Sequence, residues 1–359
     1  ELWEWWQANN LDGRQMQLNT AASIAGVAYV GVWPGANEGD APVIVPEPAS
    51  SVLLKYDPTD PWTPTAAVKC RGDVSWLYLP DKVTRFTRDT NSAGWTQAEE
   101  LDNPLDAVPF VPFRVNGDLS GNFDSDLTPA IPIQNRITET TVDRSLASRL
   151  SAFRQRYATG LELAIDENGD AIAPFNAAVD RLWIAEDSEV KFGEFAEATL
   201  KNYIDATESD VHHLAAVTRT PAHYLLGQMV NLSAEALAAA ETGLARKVQE
   251  RQQTFGESWE EVLRLAQKAA GRTELLDVET VWRRTETVSD AQVVDAALKL
   301  AGLGVPTEAL WQRVGATPQQ LKEWRRLART DALTNALRRP LVNDGAADPI
   351  APDDEELAA

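Results

Sequence analysis

The sequence runs to 359 residues, with 33 Lys and Arg against 54 Asp and Glu, a formal net charge of −21, and a hydrophobic content of 44% that includes 12 Trp. That length can bury one large core or two to three smaller ones, and that apolar content excludes general disorder. The charge repels polyanions at long range, which argues against a protein that grips DNA tightly, and the single cysteine, Cys70, excludes an internal disulfide and a Cys-based zinc site, so cytosolic assembly is expected.

The opening ELWEWWQANN carries acidic residues where a secretory signal would be positive, and it lacks Met, so part of the first domain is expected to precede it. Residues Gln15 to Asn37 carry no charge, but Asn19, Gly26, Gly31, Pro34 and Gly35 interrupt them too often for a membrane helix. A short helix and then a strand at VAYVGVW are expected. From Gly26 to Phe113, short β-rich runs (VAYVGVW, PVIVP, VLLKY, VSWLYLP, VPFVPF) alternate with Gly, Pro, Asn and Asp clusters, which predicts an α+β domain. WPGANEGDAP and DPTDPWTP read as loops, and residues 114–129 as a polar connector out of the domain.

Ile137, Val142, Leu146, Leu150, Phe153 and Tyr157 recur at mostly helical spacing, predicting a helix over 131–159 that Gly160 ends. Its other side carries Arg136, Arg144, Arg149, Arg154 and Arg156, either a solvated face or one that meets a partner. Residues 161–193 return to short apolar runs, LELAI and VDRLWIA, read as a small β-rich insert. Asp166, Asn168 and Asp170 imitate the start of a calcium loop, but Ala171 stands where the turn needs Gly, so an Asn-Gly hairpin turn is expected.

A second helix is predicted over 196–217, stopped by Thr220 and Pro221. After a loop at 218–232, Ser233 caps a third helix with Glu235 in its first turn. Leu237, Leu244, Val248, Phe255, Trp259, Val262 and Ala266 share one side of it, over about 35 residues and roughly 50 Å. Gly243 and Gly256 predict a kink near FGESW. LLDVETVWRR then reads as β-like. Capping boxes at Ser289 with Gln292 and at Thr317 with Gln320 announce short helices, and the tail from Pro340 is acidic throughout.

The histidines are poorly spaced for metal chemistry: His212 and His213 point about 100° apart on a helix, and His223 lies beyond Pro221, so a hydrolase site built from two of them with Asp210 is a weak alternative. No phosphate loop, nucleophile elbow or dinucleotide turn occurs. VPTEALWQRVGATPQQLKEWRRLAR has the helix, turn and helix of a DNA-reading hairpin, and Lys322, Arg325, Arg326, Arg329, Arg338 and Arg339 against Glu323 and Asp331 make it locally basic, which keeps a DNA-binding regulator as the other alternative.

Three stretches carry a resemblance: DRSLASRLSAFRQRYATG, FGEFAEATLKNYIDATESDVHHLAAVT, and TPAHYLLGQMVNLSAEALAAAETGLARKVQERQQTFGESWEEVLRLA. In that order they resemble the portal (connector) protein of long-tailed bacteriophages, of the type found in actinobacterial phages. The front domain is similar mainly through its W-x-x-N-x-L-D opening (Trp6 to Asp12) and NPLDAVPFVPF. The resemblance implies an α+β portal fold: wing at 1–130, stem helices at 131–159 and 196–217, a clip at 160–195, a tunnel loop at 218–232, a long helix returning to the wing at 233–288, a helical crown at 289–339 and an acidic tail at 340–359.

It implies further a ring, usually a dodecamer, at one vertex of the virion capsid, assembled in the host cytoplasm, with no enzyme activity, no cofactor and no membrane contact. Its partners would be the terminase large subunit, a head-completion or adaptor protein, major capsid and scaffold proteins, and double-stranded DNA passing through without sequence preference. His223, Gln228, Met229 and Asn231 are expected to touch the moving duplex, although Leu225, Leu226 and Met229 could instead pack between subunits. Arg144, Arg149, Arg154 and Arg156 are expected to meet Glu197, Asp205, Glu208 and Asp210 of an adjacent subunit, with solvent or terminase as the other possibility. Asp166, Asn168, Asp170 and Trp183 are the expected docking residues of the clip.

Overall fold

The computed structural model describes residues 2–37, 39–88, 94–151, 156–160, 167, 189–194, 199–227, 234–273, 276–282 and 290–338. The chain divides into two compact units, Glu1–Thr285 and Glu286–Ala359.

The first unit opens with α1 (Leu2–Ala8) and α2 (Leu11–Ala25). Gly26, at φ 85°, caps α2 by donating its N–H to the Ala22 carbonyl, a left-handed conformation that needs no Cβ. Eight strands follow: β1 (Val27–Trp33), β2 (Val43–Pro48), β3 (Val52–Asp57), β4 (Asp60–Arg71), β5 (Val74–Tyr78), β6 (Lys82–Thr87), β7 (Thr96–Asp102) and β8 (Phe110–Arg114). They form an antiparallel sheet of order β2-β1-β8 and an antiparallel meander of order β3-β4-β5-β6-β7.

β1 is the central strand of the first sheet and is buried on both faces, which is why VAYVGVW has no polar alternation. Ala28, Val30 and Val32 enter a core with Leu11, Leu18, Phe113, Phe255 and Trp259. Val27 and Tyr29 enter a second core with Val52, Leu54, Ala67, Tyr78 and Phe110. Gly31 has no Cβ because the Trp33 ring lies over that position, with Phe110 next to it.

Both front-domain motifs turn on a buried Asn that satisfies backbone groups. Asn9 donates to the carbonyls of Trp5 and Pro42, both at 2.9 Å, and accepts from the Ile44 N–H at 2.8 Å, tying α1 to β2. Within the same motif, Asp12 accepts from Trp6 Nε1 at 2.8 Å and Leu11 is fully buried. Asn103 donates to the carbonyls of Leu79 and Ala107 and accepts from the Leu105 N–H, locking the turn that delivers β8. An unpaired polar group at either place would cost about 1–3 kcal/mol.

The structure corrects DPTDPWTP, which is the tip of a hairpin and the first part of β4 and not a plain loop. Asp57 accepts from the Thr59 N–H at 2.7 Å and Asp60 from the Trp62 N–H at 2.9 Å, so side chains close the turn. Register shifts at Lys55, Tyr56 and Asp57 let the two prolines sit in the strand beside it. β6 and β7 were not visible in the pattern, and β7, TQAEELD, is exposed along its whole length as an edge strand with no apolar face to read.

α3 covers Ile131–Ser151, shorter than the expected 131–159. Arg156–Thr159 is a strand, β9, paired antiparallel with β10 (Lys191–Glu194), where the Tyr157 ring packs on Gly193 at a point that a side chain would occupy. α4 (Lys201–Thr218) ends in Arg219 at φ 54°, and the short α5 (Ala222–Leu226) lies inside the expected loop. α6 (Ala234–Ala269) is helical without a break for 36 residues, passing through both Gly243 and Gly256. Gly256 instead makes room for the returning chain: a Cβ there would sit 3.3 Å from Trp282 Nε1, while Thr280 donates its N–H to Glu260 at 2.9 Å. The expected β-like stretch is a turn at Leu276 and Asp277 followed by irregular backbone among the described residues. The Ser233 cap falls outside them.

The second unit contains α7 (Asp290–Gly302), α8 (Thr307–Arg313) and α9 (Pro318–Arg338). The capping box at Thr317 is present in both directions: the Thr317 N–H donates to Gln320 Oε1 at 2.9 Å and the Gln320 N–H to Thr317 Oγ1 at 3.2 Å. Trp311 meets Trp324 edge to face at 5.6 Å. Ser289 and the acidic tail lie outside the described residues.

Trp259 is 2% exposed and its ring centroid lies 4.8 Å from that of Trp6 and 5.0 Å from that of Phe113. Trp259→Ala is expected to remove about 3–5 kcal/mol of stability in the first unit, read as a lowered denaturant midpoint with the slope unchanged.

Candidate functional site

Two elements of the first unit stand out as more than scaffold: the α3–α4 pair and the segment between α4 and α6. α3 feeds β9, β9 pairs antiparallel with β10, and β10 precedes α4, so the two helices lie side by side in opposite directions. Arg136, near the start of α3, donates Nε and Nη2 to Asp210 Oδ1 at 3.1 and 2.6 Å. His213 Nδ1 lies 3.7 Å from the same oxygen. The Arg136 hydrogen bond, more than any other influence, holds the Asp210 carboxyl below the ordinary aspartate value of 3.8. Asp205 is occupied one turn away by Lys201 at 2.9 Å.

α3 has no buried residue along its 21 positions. Val142, Leu146 and Leu150 repeat every four residues and are more than half exposed, so they form one uncovered apolar stripe. Ile204 and Val217 on α4 are also exposed. Helices of this length draw most of their stability from packing, and among the described elements this one packs chiefly on α4.

After α4 the chain is tied to α6 at three successive points. Lys247 donates to the Thr218 carbonyl at 3.3 Å, Arg219 to Glu250 at 2.9 Å, and the Tyr224 hydroxyl to Glu241 at 2.8 Å. That last contact holds the Tyr224 hydroxyl above its ordinary pKa, chiefly because Glu241 accepts its proton in a hydrogen bond. His223 lies against the Tyr224 ring at 4.5 Å, with its Nε2 buried and without a hydrogen-bond partner among the described residues. Gly227 ends α5 at φ 65°. The segment is therefore anchored on its α4 side before it reaches residues 228–233.

The expected site residues distribute unevenly. His223 is on α5; Gln228, Met229 and Asn231 lie outside the described residues. Arg144 and Arg149 are on α3 and make no ion pair among the described residues, and Glu208 is exposed on α4. Within the chain Asp205 meets Lys201 and Asp210 meets Arg136, a residue outside the set expected to pair across subunits. Antiparallel arithmetic would have found it, since the start of one helix faces the later half of the other. Arg156 is in β9, while Arg154, Glu197, Asp166, Asn168, Asp170 and Trp183 lie outside the described residues. In the second unit, Arg325 pairs with Glu308 and Arg326 with Glu323, which neutralises two of the six cations that suggested a DNA-reading hairpin.

The first unit is thus a mixed α and β body that carries a helix pair with exposed apolar residues and, after α4, a segment tied to α6. Residues 1–332 match the family model described as phage portal protein, SPP1 Gp6-like. The chain is 31% identical to the portal protein of Mycobacterium phage D29 and 30% identical to that of Mycobacterium phage L5, in each case over 91% of this chain and 72% of the relative. The chain belongs to the phage portal protein family. Its place is the capsid vertex of a virion, as part of an oligomeric ring, and its family is structural and not catalytic. No helix among the described residues is long and apolar enough to cross a membrane.

Because the folded Asp210 pKa lies below its unfolded value, its contribution to the helix pair is complete above the ordinary aspartate range and is lost as pH falls through the folded value. Carboxyl-detected NMR should give Asp210 a midpoint below 3.8, moving up towards that value in Arg136→Gln.

Proposed function

We propose that copies of this chain close into a dodecameric ring through whose bore double-stranded DNA enters the capsid and later leaves it. The observation that carries the reading is α3, a helix with an apolar stripe at Val142, Leu146 and Leu150 that nothing among the described residues covers. A fully buried side chain of this kind contributes about 1.5–3 kcal/mol, so a neighbour's α4 laid on the stripe would hold two subunits together.

In this assignment residues 1–130 and 233–288 form the wing, α3 and α4 the stem, 160–195 the clip, 218–232 the tunnel loop, 289–339 the crown and 340–359 an acidic tail. The clip, with Asp166, Asn168, Asp170 and Trp183, would dock the head-completion or adaptor protein. The terminase large subunit would engage the same ring during packaging, with capsid and scaffold proteins around it. Assembly in the host cytoplasm suits a chain with a single cysteine.

The tunnel loop is supported by its three ties to α6, which would let residues 228–232 project while their base stays fixed. His223, Gln228, Met229 and Asn231 are uncharged or nearly so and would touch a passing duplex without clasping it. A charge of −21 per copy suits that task, because like charge opposes adhesion of the phosphate backbone. Arg144 and Arg149, without an ion pair among the described residues, would pair across the subunit boundary with Glu208, and Arg154, Arg156 and Glu197 would extend that set.

Negative-stain images of the purified protein are expected to show rings with rotational symmetry. Leu146→Asp should leave lone subunits of unchanged helix content, since it places a charge in the proposed interface and disturbs nothing buried within the chain. Rings of the Leu146→Asp variant as abundant as those of the parent would remove the stem assignment. Raising salt should lower the ring fraction of the parent protein, and more weakly that of Arg144→Gln with Arg149→Gln, because surface ion pairs are screened.

A further inference from the structure

A cavity of about 510 Å³ opens in the first unit where the connector after β8, the end of α4 and the middle of α6 meet. Its charged lining is Arg114, Arg219, Lys247 and Arg251 against Asp126 and Glu250. A net positive cavity in a chain with 21 more acidic than basic residues is not a by-product of composition.

The carboxylates are already in use. Asp126 Oδ1 receives Lys247 at 3.4 Å and Arg251 at 3.2 Å, and Glu250 receives Arg219 at 2.9 Å. Arg114 has no carboxylate partner among the described residues. Its Nη2 donates to the Pro61 carbonyl at 3.0 Å, and its guanidinium lies between the Tyr56 and Trp62 rings at 4.5 and 5.0 Å. Nε and Nη1 are buried without a hydrogen-bond partner, in a residue only 5% exposed. The rings offset part of the cost of burying the cation, but they leave two charged N–H donors unmet, and buried charge is retained where a counter-charge arrives.

We propose that this cavity is an oxyanion site that receives an Asp or Glu side chain from a neighbouring copy of the chain. The inference rests on the ring proposed above. A carboxylate matches the planar fork of an arginine and carries the single charge that the excess of the lining can absorb. Neighbouring copies supply carboxylates on an acidic surface already brought close by assembly, whereas the long-range field of the ring opposes the approach of a polyphosphate. Trp62, more than half exposed on the hairpin tip of β3 and β4, forms the side of the cavity that can yield to an entering side chain.

Lys247 gives the test, since a carbodiimide joins an amine only to a carboxylate in contact with it. Rings assembled from a mixture of heavy-nitrogen-labelled and unlabelled copies are treated with carbodiimide and digested, and the peptides joined to Lys247 are identified by mass. Mixed-isotope pairs between Lys247 and an Asp or Glu peptide are expected, in addition to the same-chain product with Asp126. Arg219→Gln, which removes a cation at the exposed rim, should lower the mixed product several-fold and leave the Asp126 product unchanged. Intact rings that yield the Asp126 product alone would overturn the inference while leaving the ring itself standing; failure to form rings would instead strike the proposed function. Protection of Lys247 by inorganic phosphate or by duplex DNA, with no mixed product, would reassign the site to phosphate and also overturn it.

Discussion

The first unit is organised by the crossing of α6 over the β2-β1-β8 sheet and the N-terminal helices, with Trp259 at the centre. Its ring sits against Trp6 from one end of the sequence and Phe113 from the strand that leaves the sheet, and Phe255 adds a second edge-to-face contact with Phe113 at 5.4 Å. Val262 and Ala266, fully buried one and two turns on, continue the seam. The N-terminal helices and the strands β1, β2 and β8 are thereby fixed to one helix. The consequence is mechanical: the C-terminal half of α6 is held in the core, and its N-terminal half becomes a rigid arm on which the segment after α4 is tied down through Lys247, Glu250 and Glu241. The placement of residues 218–224 thus depends on core packing roughly 30 Å away along the helix.

What could be read in the sequence follows from which constraints are local. β1 was legible because burial on both faces leaves an unbroken apolar run, and α6 because a long apolar stripe at helical spacing fits neither a strand nor a loop. The Thr317 box was legible because its hydrogen bonds close within three residues. β7 was not, since an exposed edge strand is specified by its neighbour β6 and not by its own pattern. The end of α3 was overrun because Tyr157 fits the helical stripe and equally fits a strand, and only its pairing with Gly193, thirty-six positions on, decides between them. The second role of Gly256 was hidden for the same reason: an isolated glycine in a helix reads as a weak point, and the space that Trp282 takes there comes from the returning chain.

The candidate site shows the same division. The end of α4 was found by its breakers, Thr220 and Pro221, whose effects are local. The Asn9 and Asn103 motifs were noticed as similar to a family but their role was hidden, because each side chain answers carbonyls that lie elsewhere in the sequence, Pro42 for one and Leu79 for the other. Arg114 was invisible altogether. Its sequence neighbours are apolar, and what makes it unusual, two aromatic rings and no acid beside it, comes from the hairpin more than fifty residues earlier.

Placement of charge connects these features. In the proposed ring a large negative total would favour free passage of a duplex, yet subunits each carrying −21 repel one another when they assemble. Two local devices answer that conflict without changing the total. On α3 and α4, Asp210 and Asp205 are neutralised within the chain by Arg136 and Lys201, which removes acid from the helix pair and leaves Arg144 and Arg149 as its uncommitted cations among the described residues. In the cavity between the connector after β8, α4 and α6, cations outnumber acids, and Arg114, the one with buried unmet donors, has no carboxylate partner among the described residues. Both places lie in parts of the chain that the stem assignment brings near a neighbouring copy, so each would convert a small part of the mutual repulsion into attraction at short range, where screening by salt is weakest. An acidic surface elsewhere would then keep its long-range effect on a duplex in the proposed bore. The cost of uniform charge is met at a few specified contacts.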